Sequence, residues 1–115
     1  MNLRCPWPPS TNHAYPSSKW GRRYLSKAGQ EYKESMQAIV SENGCPKLSG
    51  RLAVCIDLYP PDKRKRDIGN HEKVLIDSLV ACGVMDDDEQ IDELLIRRKE
   101  IVPDGEAVVW IKEIV

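Results

Sequence analysis

The sequence lacks any apolar run near the roughly 20 residues that a membrane-spanning helix requires. Its start, MNLRCPWPPS, lacks the basic residues followed by an apolar segment that mark a secretory leader, so a cytoplasmic location is expected. Close metal-ligand pairs are also missing. Cys5, Cys45, Cys55, Cys82, His13 and His71 contain no C-x-x-C or H-x-x-x-H spacing, which argues against structural zinc and leaves the cysteines as small, reduced hydrophobes. Net charge is nearly absent too, at −1, and bulk attraction to a polyanion is thereby excluded.

What is present suits one soluble domain spanning residues 1–115. The composition is ordinary, with 41% hydrophobic and 30% charged residues, and this length supports one core but not two. The near-zero charge hides an imbalance. Residues 1–66 carry 12 Lys/Arg against 5 Asp/Glu, net +7, and residues 67–115 carry 5 against 13, net −8. A polyanion therefore has to meet a local basic surface, with acidic groups nearby serving another purpose.

A short strand around Leu3 to Cys5 leads into PWPPSTNHAYPSSKW, residues 6–20, where Pro, Ser and Asn replace any period and predict a loop. Ser26 is placed to cap a helix that buries Ala28, Tyr32, Met36, Ile39 and Val40 and stops at Gly44, with Gly29 tolerated near its start. RLAVCIDLY alternates Leu52, Val54, Ile56 and Leu58 with Ala53, Cys55, Asp57 and Tyr59, which predicts a strand between Gly50 and Pro60-Pro61. Helical spacing returns from Ile68 to Cys82 through Leu75, Ile76 and Leu79, and Gly83 stops it. IDELLIRRKEIV and AVVWIKEIV flank Pro103-Asp104-Gly105 and predict a hairpin. The expected class is α+β, in the order β-α-β-α-β-β, with two helices on a small mixed sheet.

The chemistry concentrates in two places. KRKRDIGNHEK, residues 63–73, sets Lys63, Arg64, Lys65 and Arg66 against Asp67, and MDDDEQ holds Asp87 and Asp88 after the second helix. An out-and-back excursion through that helix is expected to return both carboxylate groups to one end of the sheet. Two carboxylates about 5 Å apart near a surface repel by roughly 3 kcal/mol at an effective dielectric near 20. A hard divalent cation relieves that repulsion, and Mg²⁺ needs only a few carboxylates because water and phosphate complete its shell. Taken singly, DDDE also reads as a solvated turn and KRKR as a solvated loop.

PWPPSTN, then PDKRKRDIGNHEKVLIDSL, then GVMDDDEQI resemble in order and spacing the RusA-like Holliday junction resolvases, over nearly the whole chain. The resemblance implies a RusA-like fold and a homodimeric endonuclease of phage or prophage type. Such an enzyme nicks four-way DNA junctions with Mg²⁺ or Mn²⁺ in recombination and repair. It assigns Asp67, Lys73 and Asp88 catalytic roles, Asp87 a place in the acidic pair, and Asn70 a matching position. The family's second aspartate falls on Gly69. Glu72 or Asp87 restores the third carboxylate, or two carboxylates with extra water suffice, or the protein binds junctions without cutting them.

The remaining expectations concern supporting residues. Lys73 acts as a positioned charge that Asp77 orients from one helical turn away. Asn70 caps the helix and His71 faces solvent. Lys63, Arg64, Lys65 and Arg66 hold DNA phosphates, with Arg22, Arg23 and Lys27 extending the surface, and four such contacts imply a log–log salt slope of about −3.6. The main rival reading is a junction-binding module without cleavage, and a third is a small α+β protein-interaction domain with no nucleic-acid role.

Overall fold

The structure, a computed structural model, describes residues 1–114. Leu52–Tyr59 form the predicted strand (β2 here), and Leu52, Val54, Ile56 and Leu58 point into the core. The alternation breaks in one respect, because Asp57 on the other face is only 4% exposed. Its carboxylate accepts hydrogen bonds from Arg97 at 2.6 and 2.9 Å and from Trp110 Nε1 at 3.3 Å. The Arg97 bonds hold the Asp57 carboxyl below its ordinary value, with burial opposing them.

Four strands form one sheet in the order β1-β4-β2-β3, where β1 is Asn2–Cys5, β3 is Ile91–Arg98 and β4 is Glu106–Glu113. The sheet is mixed. β2 runs parallel to β3 and antiparallel to β4, and β4 runs antiparallel to β1. The expected β3–β4 hairpin is therefore corrected, since β2 lies between those two strands. Pro103-Asp104-Gly105 does turn, with φ of 67° at Asp104 and 72° at Gly105. The connection is nevertheless fastened to β2, because Lys99 N donates to Leu58 O at 2.8 Å and Val102 N to Pro60 O at 2.9 Å. Those bonds carry the chain across the end of β2 and bring β4 down on its far side.

α2, Lys27–Asn43, starts and stops as its sequence predicts. Ser26 Oγ accepts from Gly29 N at 3.1 Å, and Gly44 adopts the left-handed conformation with φ 58°. Tyr32, Met36 and Val40 are buried. Gly29 is demanded rather than tolerated. A Cβ there would lie 3.0 Å from the carbonyl oxygen of Ala14, the last residue of a short helix, α1, Thr11–Ala14. That helix lies inside the segment expected to be a loop, and Ser10 caps it.

The expected continuous helix from Ile68 is broken. Ile68–Asn70 make one 3-10 turn, and α3 runs from Glu72 to Ala81. The cause is His71, which is 6% exposed instead of facing solvent. Its Nδ1 lies 3.0 Å from Pro8 O and its ring centroid 4.8 Å from that of Trp7. His71, rather than Asn70, takes the N-cap position, and no side chain caps α3. Beyond the break the pattern holds, with Leu75, Ile76 and Leu79 buried. α2 and α3 pack on each other and on the core face of the sheet. Leu95 and Trp110, on the opposite face, remain 53% and 46% exposed.

Candidate functional site

β2 delivers the chain to the Asp67 end of the sheet. An open hollow there is lined by Asp67, Asn70 and His71 together with Arg64, Lys65 and Arg66. Asp67 is exposed, directly precedes the 3-10 turn, and makes no side-chain capping bond. The basic run is partly neutralised by its own neighbour. Asp62 pairs with Arg64 at 3.0 Å and Arg66 at 2.8 Å. The Arg64 hydrogen bonds, above all, hold its carboxyl well below the usual range. Arg66 is only 14% exposed and lies over the Trp7 ring. Lys63 and Lys65 are exposed and form no ion pair among the described residues.

The other sequence-named cations differ in freedom. Arg23 donates to Tyr15 O at 3.0 Å, Lys27 lies 3.9 Å from Glu31, and Arg22 is exposed. They sit between α1 and α2 or at the start of α2.

A second hollow is lined by Asp87, Asp88, Asp77 and Lys33. Gln90 builds its turn. The buried amide accepts from Asp86 N at 2.7 Å and Asp87 N at 3.2 Å, and donates to Leu48 O and Gly50 O at 3.0 Å each. Asp87 is committed to this turn, since its side chain accepts from Glu89 N at 3.3 Å. Asp88 is raised above an ordinary carboxyl, first by a hydrogen bond shared with Asp87, then by burial and by the charges of Asp87 and Asp77, while Lys73 opposes the rise. Asp87 is lowered by the same shared bond. Two adjacent, exposed carboxylates thus oppose each other's ionisation, a cost that a divalent cation relieves.

Lys73 belongs electrostatically to this second hollow. Its Nζ lies 3.5 Å from Asp77, the i, i+4 relation the sequence suggested, and 5.6 Å from the Tyr15 ring centroid. Tyr15 Oη donates to Asp77 at 2.5 Å, and burial followed by that bond pushes the phenol far above its ordinary value.

The expectation that Asp67 and Asp88 share one end of the sheet is corrected by topology. Arg98, at the far end of β3, donates to Arg66 O at 2.7 Å, which fixes the Asp67 end. Asp88 precedes Ile91, which starts β3 beside Leu52. β3 runs from the level of Asp88 to the level of Asp67. The parallel β2–β3 arrangement causes this, because α3 carries the chain back to where β2 began.

Donor chemistry fits a hard cation, although the grouping is incomplete in one chain. Among the described residues no three His, Cys, Asp or Glu side chains gather to hold a metal ion. Glu72 Oε2 is buried without a hydrogen-bond partner, so a carboxylate oxygen one turn from Asp67 has unmet bonding capacity. At Gly69 an added Cβ meets nothing within 4 Å, and its φ is not positive. The thiols offer no alternative ligand set. Burial pushes Cys5 up to about 12 and raises Cys45, Cys55 and Cys82 as well.

Sequence reasoning missed Asp62, Tyr15 and Gln90 and placed His71 in solvent. Only Asp62 had a local signal, an acid two and four residues before arginines. The others act through partners distant in sequence.

A cationic hollow at one end of a small α+β sheet and an adjacent acidic pair at the other are the groups that a metal-dependent nuclease employs. A family model described as endodeoxyribonuclease RusA matches residues 6–112. The chain is 35% identical over 114 residues to the crossover junction endodeoxyribonuclease of Enterobacteria phage HK97, covering 95% of this chain and 91% of that one. It is 28% identical over 113 residues to the proteins of the same name from Enterobacteria phage 82 and Shigella sonnei, with coverage of 97% and 93% in each case. The chain belongs to the RusA endodeoxyribonuclease family.

Proposed function

We propose that this protein is a Holliday junction resolvase that hydrolyses phosphodiester bonds of branched DNA with Mg²⁺ or Mn²⁺, acting in the cytoplasm as a homodimer. The observation that carries the reading is the adjacent Asp87 and Asp88 lining one hollow with Asp77, whose carboxylate pairs with Lys73. Asp88 is the free member, because Asp87 is occupied by its turn. Asp67, Asp88 and Glu72 hold the cation, with Asp87 supporting Asp88. When bound, the cation lowers the pKa of an attacking water and stabilises negative charge on the phosphate.

Since Asp67 and Asp88 lie toward opposite ends of β3 in one chain, the ligand set is completed between two copies. A two-fold dimer supplies two such sites, matching the paired nicks that a symmetric junction requires. Lys73 contributes a positioned positive charge for the developing oxyanion. Lys63, Arg64 and Lys65 hold flanking phosphates and position the DNA without reading its sequence. Arg22, Arg23 and Lys27 extend that surface, while Arg66 chiefly braces the loop through Asp62 and Trp7.

Nicking of a synthetic four-way junction with Mg²⁺ tests the proposal. Paired symmetric nicks at the crossover, absent from linear duplex, are expected. Tight junction binding without product under any divalent metal would leave a junction-binding protein disabled at Gly69, and equal behaviour toward branched and linear DNA would remove the reading altogether.

A further inference from the structure

Trp20 is 81% exposed, the highest value of any large hydrophobic side chain among the described residues. An indole ordinarily buries most of its large apolar surface, so the fold gains nothing from this placement. The ring does not ride on a slack loop. Ser17 and Arg23 bridge antiparallel, Ser18 N donates to Arg22 O at 2.6 Å, and Gly21 N donates to Ser18 O at 2.9 Å. Ser18 Oγ accepts from Trp20 N and Arg22 N at 3.3 Å each. Gly21 closes the turn with φ 79°, where a side chain would be strained. Residues 17–23 therefore form a small fixed hairpin with Lys19 and Trp20 at its tip.

The tip is cationic. Lys19, Arg22 and Arg23 are exposed, and none of them forms an ion pair among the described residues. No acid precedes Glu31 in the chain. Lys19 Nζ lies 5.2 Å from the indole centroid. A protein partner would be gripped by a cluster of apolar side chains from which charge is depleted, whereas here one ring stands among three cations. Cations for phosphate and an aromatic face for a base are the combination that unstacked nucleic acid takes.

The hairpin is fastened beside the acidic hollow. Arg23 Nη1 donates to Tyr15 O at 3.0 Å, and Tyr24 N donates to Pro16 O at 3.1 Å. Tyr15 in turn bonds Asp77 and lies beneath Lys73, and Asp77 lines the hollow with Asp88. The chain from Tyr15 to Trp20 reaches at most about 17 Å. One DNA strand advances about 3.4 Å per nucleotide, so the ring meets DNA within about five nucleotides of a phosphate held beside Tyr15. Within a duplex both faces of a base are already stacked. At a branch point, where strands exchange partners, base faces come free and stacking on them costs little unpairing.

We propose that Trp20 is a DNA-binding residue whose indole stacks on a base exposed at the branch point, while Lys19, Arg22 and Arg23 hold the phosphates beside it. The inference rests on the junction-nuclease reading given above and adds to it a source of preference for branched over linear DNA.

Fluorescence anisotropy tests the stack. Parent, Trp20→Ala and Trp20→Phe chains are titrated, without divalent cation, onto a synthetic four-way junction and onto a linear duplex of the same sequence. Trp20→Ala should weaken junction binding about tenfold, as loss of one base–aromatic stack does, and keep duplex binding within about twofold. Its salt slope should equal the parent's, because no charge is removed. Trp20→Phe should recover most of the lost affinity. 2-Aminopurine at the branch point should be dimmer with the parent than with Trp20→Ala. Equal weakening on junction and duplex, unchanged junction affinity, or no recovery by Trp20→Phe overturns the assignment. So does a Trp20→Ala chain whose mass by sedimentation equilibrium departs from the parent's, since that seats the indole on protein. Nicking with Mg²⁺ is read separately. Junction preference that depends on Trp20 in a parent that never nicks upholds the stack and removes the nuclease reading. Nicking by the parent together with an unaltered junction preference in Trp20→Ala removes the stack alone.

Discussion

The two ends of the sheet are charged in opposite senses and built by different means. At the Asp67 end, a long loop after β2 gathers four consecutive cations, and Asp62, Trp7 and the buried His71 fasten it in place. At the Asp88 end, one buried glutamine ties a tight acidic turn to the backbone of residues 48–50. On the proposed account, the cations that hold phosphate and the carboxylates that hold the metal ion lie at opposite ends of one chain. The parallel β-α-β unit forces them apart, and only a second copy of the chain reunites them on the proposed account.

The largest expected effect breaks the acidic end alone. Asp88→Asn should lower junction nicking by more than about 100-fold, equivalent to roughly 3 kcal/mol of lost electrostatic stabilisation, while junction binding stays within about twofold. Retained nicking would remove Asp88 from the chemistry. The neighbouring Asp87 carboxylate adds a pH signature. Because Asp88 is raised, Mg²⁺ affinity should begin to fall at a higher pH on acidification than an ordinary carboxylate would give, and isothermal titration across pH reads this directly.

The next effect belongs to the basic end. With Arg66 committed to Asp62 and Trp7, three cations of the run remain for phosphate, and these alone should contribute about −2.7 to the log–log salt slope, or about 40-fold weaker binding for a fourfold rise in salt. Lys65→Ala should reduce the slope by about 0.9. A slope unchanged in that variant would take Lys65 off the DNA.

Glu72 sharpens the boundary between the two ends. Glu72→Gln should reduce nicking about tenfold, as loss of one ligand among water-exchangeable positions would. Gly69→Asp should then restore it, since the glycine has open space and an ordinary φ. An unaffected Glu72→Gln enzyme would eliminate this carboxylate as the substitute.

The smallest effect concerns the ground between the ends, where Asp57 is locked to Arg97 and Trp110. Its folded pKa is depressed, so its contribution is present above the unfolded value of about 3.9 and is lost as pH falls through the folded value. Asp57→Asn should cost about 1–3 kcal/mol at neutral pH, a range discounted for the half-exposed Arg97. The gap between the two proteins in urea denaturation should narrow from about pH 4 downward.

Local rules made much of this legible in the sequence. Ser26 and Gly44 bounded α2, alternation marked β2, and Asp77 stood one turn from Lys73. The misreadings share a physical origin in non-local partners. A turn at Pro103 to Gly105 looked like a hairpin because the bonds from Lys99 and Val102 to β2 leave no trace in neighbouring residues. His71 looked exposed because its partner, Pro8, lies 63 residues away. Gly29 looked neutral because the carbonyl it clears belongs to another helix. Both carboxylates of the candidate site were visible as residues, while their separation depended on whether β3 returned parallel or antiparallel to β2.

Subunit mixing tests the divided site most directly. Asp67→Asn and Asp88→Asn chains are each expected to be inactive, yet their mixed dimer holds one site with both native carboxylates. Co-refolding the two should therefore restore nicking of a single junction strand. A mixture as inactive as its components, with mixed dimers present by mass, would contradict completion of the site between copies.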